Sequence, residues 1–128
     1  MKTMILKTAS LLIHAAKIDE NYTAKEKSII KETLLNLDLE ISDIEELMID
    51  AENNEKYSNQ ILDFTRELKN ADHSFKVKII ETLWKIIYSN NQVDMYESNL
   101  MSRLSGLLYL DNKTMGDIKK KIEKENSK

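Results

Sequence analysis

Residues Ala16–Glu26, Ala-Lys-Ile-Asp-Glu-Asn-Tyr-Thr-Ala-Lys-Glu, have an echo 71 positions later in Ile87–Glu97, Ile-Tyr-Ser-Asn-Asn-Gln-Val-Asp-Met-Tyr-Glu. At that spacing Leu12 falls on Leu83, Asp19 on Asn90, Thr23 on Asp94 and Glu26 on Glu97. Further along, Leu37 falls on Leu108, Leu39 on Leu110, Ile44 on Met115 and Leu47 on Ile118. A self-similar period of this length marks one supersecondary unit used twice. Each copy reads as helix, acidic loop, helix, helix. Two such copies leave few other ways to fold the chain.

Composition narrows the choice of element. The 128 residues contain no Pro and two Gly, so turns must come from Asn, Asp, Ser and Thr. That pattern predicts an all-α chain, a single domain over residues 1–128 with about seven helices. Two three-helix repeats would surround two central apolar helices. The absence of Cys excludes disulfides and thiolate chemistry. A net charge of −3 argues against a nucleic-acid binder. The cations are mostly Lys, with Arg only at positions 66 and 103, which disfavours a bidentate phosphate grip.

Apolar spacing places the elements. Helix one, about Thr3–Ile18, is apolar around most of its circumference and so should be central. One polar stripe, Lys7, Ser10, His14 and Lys17, breaks it. A secretory leader has no such stripe, so the opening run reads as part of the fold. No apolar stretch reaches the ~18 residues of a membrane span. Helix two, about Ala24–Leu37, opens on the capping box Thr23-Ala-Lys-Glu26. Helix three opens on a second box, Ser42-Asp-Ile-Glu45, and runs to about Asn53. A connector helix, about Ser58–Leu68, has no counterpart in the other copy. Helix five, about Phe75–Ser89, mirrors helix one. Helix six runs from about Met95 to Leu108, with Asp94 as its cap and Glu97 closing the box. Asp111–Thr114 opens the last helix.

The loop after helix one offers oxygens at Asp19, Asn21, Thr23 and Glu26, and the second loop offers them at Asp94 and Glu97. Hard cations such as Ca²⁺ or Mg²⁺ take oxygen ligands. The spacing is not that of an EF-hand, whose bidentate Glu comes eleven positions after the first Asp with a Gly between. Here Glu26 comes seven after Asp19 and no Gly intervenes. The plain structural account is capping: Asp19 accepts loop amides and Glu26 closes the box. In the second copy Asn90 lacks the charge a cation site needs.

These loops, each after an apolar helix, resemble the twice-used Asp-Gly-x-apolar-(Ser/Asp)-x-x-Glu pattern of the tellurite-resistance TerB-like family. The N-terminal domain of a membrane-anchored DnaJ-type co-chaperone is a relative of that family. The similarity covers about Leu11–Lys121. Leu62–Leu68 followed by Ile80–Tyr88 resembles a stand-alone bacterial branch. The chain departs from the pattern at Glu20 and Asn91, where the family has Gly, and at Asn90, where it has Asp. The resemblance implies a compact, all-helical, cytoplasmic, stress-associated protein. It also implies divalent-cation binding and no enzymatic activity.

Other constellations are weak. His14 and His73 form no ligand motif, and His14 on the polar stripe reads as solvated. There is no nucleophile elbow and no Gly-rich phosphate loop. Acid/base chemistry by paired carboxylates is a remote alternative. Trp84, matched to Ile13, reads as core. Residues 38–55 hold eight acids and no Lys or Arg, whereas Lys113–Lys128 holds six Lys. Two faces of opposite sign suggest weak charge-mediated self-association or docking of a protein partner. The expected function is therefore a non-enzymatic protein-interaction module, with weak cation binding at the first loop as the alternative.

Overall fold

The computed structural model describes residues 2–17, 22–37, 41–57, 62–66, 68–88 and 95–126. Within them run α1 (Lys2–Lys17), α2 (Ala24–Leu37), α3 (Ile44–Lys56), α4 (Leu62–Thr65), a 3₁₀ turn (Leu68–Asn70), α5 (His73–Tyr88), α6 (Met95–Leu107) and α7 (Asn112–Asn126). The described residues are helix and turn, so the all-α expectation holds.

The repeat is written into the helix boundaries. α1 and α5 are each sixteen residues long, and both ends are offset by 71. α2 and α6 begin at the same offset. In each copy the first helix packs most extensively on the third, α1 on α3 and α5 on α7, and the copies meet through α1, α2 and α5. α1 and α5 are central because they are apolar on several sides. Ile5, Ala9, Leu11, Leu12, Ile13 and Ala16 are buried on one, and Ile79, Ile80, Leu83, Trp84, Ile86 and Ile87 on the other. Their buried hydroxyls return to their own backbone. Thr8, Ser10 and Thr82 donate to the carbonyls of Met4, Leu6 and Lys78, each at 2.8 Å.

Three expectations change. The connector is not one long helix: α4 is a single turn, and a 3₁₀ turn follows it. Phe64, Thr65 and Leu68 are buried as the pattern required, but a short helix plus a 3₁₀ turn meets that spacing as well. Residues 58–61 and 67 lie outside the described set. α3 is capped one residue later than expected. Asp43, in extended conformation, accepts from the Glu46 amide at 3.1 Å. The polar stripe of α1 is not a solvated face. Ser10 is fully buried and accepts from Asn54 Nδ2 at 2.8 Å, so the stripe faces α3. Asp111 does open α7, accepting from the Thr114 amide at 2.7 Å.

Candidate functional site at the α1–α2 corner

The corner begins where Thr23 starts α2. The Lys27 amide donates to the Thr23 carbonyl at 3.0 Å, the first helical bond. The Thr23 amide and hydroxyl both donate to Glu26 Oε2, at 2.5 and 2.6 Å. The reciprocal bond, Glu26 amide to Thr23 Oγ1, is long at 3.4 Å. The capping box is thus formed, and it is held mainly from the carboxylate side.

Glu26 is only 1 % exposed, and both of its short bonds fall on Oε2. Oε1 is buried and has no hydrogen-bond partner. A carboxylate oxygen out of water without a donor is costly. Four residues earlier in the chain, the Tyr22 hydroxyl is also buried and without a hydrogen-bond partner. Burial pushes that phenol well above its ordinary value, and the Glu52 and Glu55 carboxylates push in the same direction. Glu52 stands near the hydroxyl but outside hydrogen-bonding geometry.

α3 closes the corner through its acids. Lys17 Nζ lies 2.9 Å from Glu55 Oε2 and His14 Nδ1 3.5 Å from Oε1. Lys27 Nζ reaches Glu52 at 3.8 Å, and Lys31 Nζ reaches Glu45 at 2.6 Å. These acids of α3 are therefore paired by cations from α1 and α2. His14, read as solvated from its stripe, is instead half-buried between Glu55 and the Phe64 ring, whose centroid is 5.9 Å away.

Of the six oxygen-bearing residues named from the sequence, Thr23 and Glu26 are together. Asp19, Asn21 and Asp94 lie outside the described residues. Glu97 is in α6, with its side chain outside the described set. Among the described residues no group of three or more His, Asp or Glu is gathered as a metal site. The donor chemistry still fits a hard cation at one point, because Glu26 Oε1 is an anionic oxygen with nothing to accept. Tyr22, Glu52 and Glu55 were not foreseen as corner residues. The signal was present in the cation-free stretch of α3, whose acids needed partners from elsewhere in the chain.

A family model described as "Tellurite resistance protein TerB" matches residues 5–120. No curated protein matches the chain, and no solved structure does. Among the described residues no helix is long and apolar enough to cross a membrane.

Proposed function

Because the chain belongs to the TerB family, we propose that it works as a non-enzymatic module that binds a protein partner in a stress response. The observation behind this reading is the outer face of α3. Ile49 on the helix and Tyr57 at its C-cap are 57 % and 77 % exposed. The same helix turns Met48 and Ala51 into the core. Large apolar side chains left out of a core, on a charged helix, are the usual anchors of a protein contact. Exposed Glu46 and Asp50 beside them favour a basic partner surface. The lysines of α7 on a second copy would be one such surface, and that contact would weaken with salt. The test is tellurite challenge of a source strain lacking the chain, complemented with wild type or with Ile49→Lys/Tyr57→Ser. Sedimentation of both proteins at low and high salt runs beside it. The reading expects the variant to keep its melting temperature and lose the rescue. Full rescue by the variant overturns it.

Glu26 Oε1 favours a second reading, a weak Ca²⁺ or Mg²⁺ site formed by Glu26 and Thr23 with Asp19 and Asn21. A bound cation would supply the positive charge that the buried oxygen lacks. Calorimetric titration with Ca²⁺, Mg²⁺ and Zn²⁺ tests it on wild type, Asp19→Asn and Glu26→Gln. Heat on wild type that both variants abolish supports the site. No heat, or heat that both variants retain, removes it.

A further inference from the structure

A pocket lies between α5, α6 and α7, with a volume of about 210 Å³. The 71-residue period gives each of its lining positions a counterpart in the first copy, and the differences run in one direction. In the first copy the inner positions are Ile13, Ile30, Leu34 and Met48, all fully buried. Above them Lys31 of α2 and Glu45 of α3 join at 2.6 Å and bridge the two helices. In the second copy Ser105 stands for Leu34 and Lys119 for Met48. Ser102 and Gly116 replace the bridging Lys31 and Glu45. A Cβ on Gly116 would meet nothing within 4 Å, so the mouth is open there.

The wall chemistry is one-sided. Among the described residues Lys119 is the only charged one lining the pocket, and no carboxylate does. It makes no ion pair among the described residues, and its ammonium stands 5.4 Å over the Trp84 ring. Trp84 lines the pocket and is 5 % exposed, and its indole N–H is buried without an acceptor. Such a group in a folded protein calls for a missing partner. Ser102 and Asn112 add further donors at the wall, while Met101 and Met115 give it an apolar side. The volume is below the ~300–1,000 Å³ of sites for drug-sized ligands, so the occupant is small.

We propose that this pocket binds a small organic carboxylate. Its charge would lie against the Lys119 ammonium and its apolar body against Met101, Met115 and Trp84. The proposal does not depend on the α3 face or on the α1–α2 corner.

Trp84 is the only Trp in the chain, so its fluorescence comes from one residue of the pocket wall. The full chain is titrated with benzoate, and with acetate, inorganic phosphate and benzyl alcohol as comparison probes, by fluorescence and by calorimetry. Benzoate should give a saturable change in both, and the other three should bind at least about tenfold more weakly. Lys119→Met, which installs the first-copy residue, should weaken benzoate about tenfold or more. Ser102→Lys/Gly116→Glu rebuilds the first-copy bridge and should abolish binding. Its melting temperature should not fall, because Glu is a better helix former than Gly. No saturable benzoate signal in either measurement overturns the proposal. So does binding that Lys119→Met and the closing variant leave unchanged. Phosphate or acetate binding as tight as that of benzoate overturns the contact with the apolar body, and equally tight binding of benzyl alcohol overturns the charge.

Discussion

In the two three-helix units the first helices have the same boundaries at the 71-residue offset and the second helices begin at it, yet the units use their polar side chains differently. In the first unit α3 is tied to its neighbours by Lys17–Glu55, Lys27–Glu52 and Lys31–Glu45. In the second, α7 meets α5 through Lys121–Glu81 at 3.2 Å and a Tyr88–Glu123 bond at 3.1 Å. Glu123 is the counterpart of Glu52, and Tyr88 that of Lys17. An ion-pair position has thus become a neutral donor whose phenol is pushed up to about 12, by burial first and then by the Glu123 bond. Apolar spacing decides that each unit folds, because burial is the larger energy. Half-exposed polar positions are worth little each, so they are free to diverge. At the positions where Lys31 and Glu45 bridge the first unit, the second has Ser102 and Gly116 and opens a pocket over Trp84.

The largest effects should come from the central helices, where Ala16 and Ile87 are counterparts and both are buried. Ile87→Ala should cost about 2–5 kcal/mol by leaving a cavity. Ala16→Ile should cost about 1–3 kcal/mol by overpacking. Urea melts of both variants measure this. A neutral Ala16→Ile would mean that the first unit has room its counterpart fills, and the likeness of the two cores would fail.

Next in size is the α2 cap. Thr23→Ala and Glu26→Ala should each cost about 0.5–2 kcal/mol without added metal. Suppose Glu26→Ala is silent in metal-free buffer but abolishes stabilisation by Ca²⁺ or Mg²⁺. Glu26 would then be a ligand first and a cap second.

Much of this architecture could be read before any coordinates. The α2 bounds, the α1 and α5 spans to within two residues, and the Asp111 and Thr23 starts all follow from apolar spacing and caps. Two things were not legible, each for a local reason. Ser42-x-x-Glu45 and Asp43-x-x-Glu46 have the same box spacing, and only geometry shows that Asp43 takes the amide. α4 satisfies a helical pattern, but a single turn does so equally well when it is wedged against α1 and α6. The corner was legible in part. Thr23 and Glu26 follow from sequence, whereas Tyr22, Glu52 and Glu55 arrive from tertiary packing that no local pattern encodes. The pocket was hidden for a related reason. Ser102, Gly116 and Lys119 are unremarkable singly and informative only beside Lys31, Glu45 and Met48.

The bridge that closes the first unit should contribute less than the cap. Lys31 and Glu45 are partly exposed, and such pairs give about 0.2–1 kcal/mol. A double-mutant cycle of Lys31→Ala and Glu45→Ala measures the coupling. It should shrink toward zero in 1 M salt, where the Debye length is about 3 Å. A coupling that salt leaves unchanged would mean that the pair is held by more than charge.

The smallest effect concerns the start of α7. Asp111 is exposed, and its carboxyl is held below the usual carboxylate range. The Thr114 side chain is the first cause and the Thr114 amide the second, with His73 and Lys113 adding positive charge nearby. A carboxyl depressed in the folded state stabilises the fold above its unfolded value, about 3.9. That contribution is lost as pH falls through the folded value. Asp111→Asn should therefore melt below wild type at neutral pH and approach it in acid, below about pH 4. Thr114→Val, which removes the largest cause, should shrink the acid-dependent part of that difference. Water around an exposed carboxylate keeps the effect small, so melting temperatures are compared point by point from neutral pH downward. Parallel curves for wild type and Asp111→Asn would show that the cap acts through geometry alone. The caps themselves stand three residues out of register, since the counterpart of Asp43 is Thr114, so the two third helices already diverge at their starts.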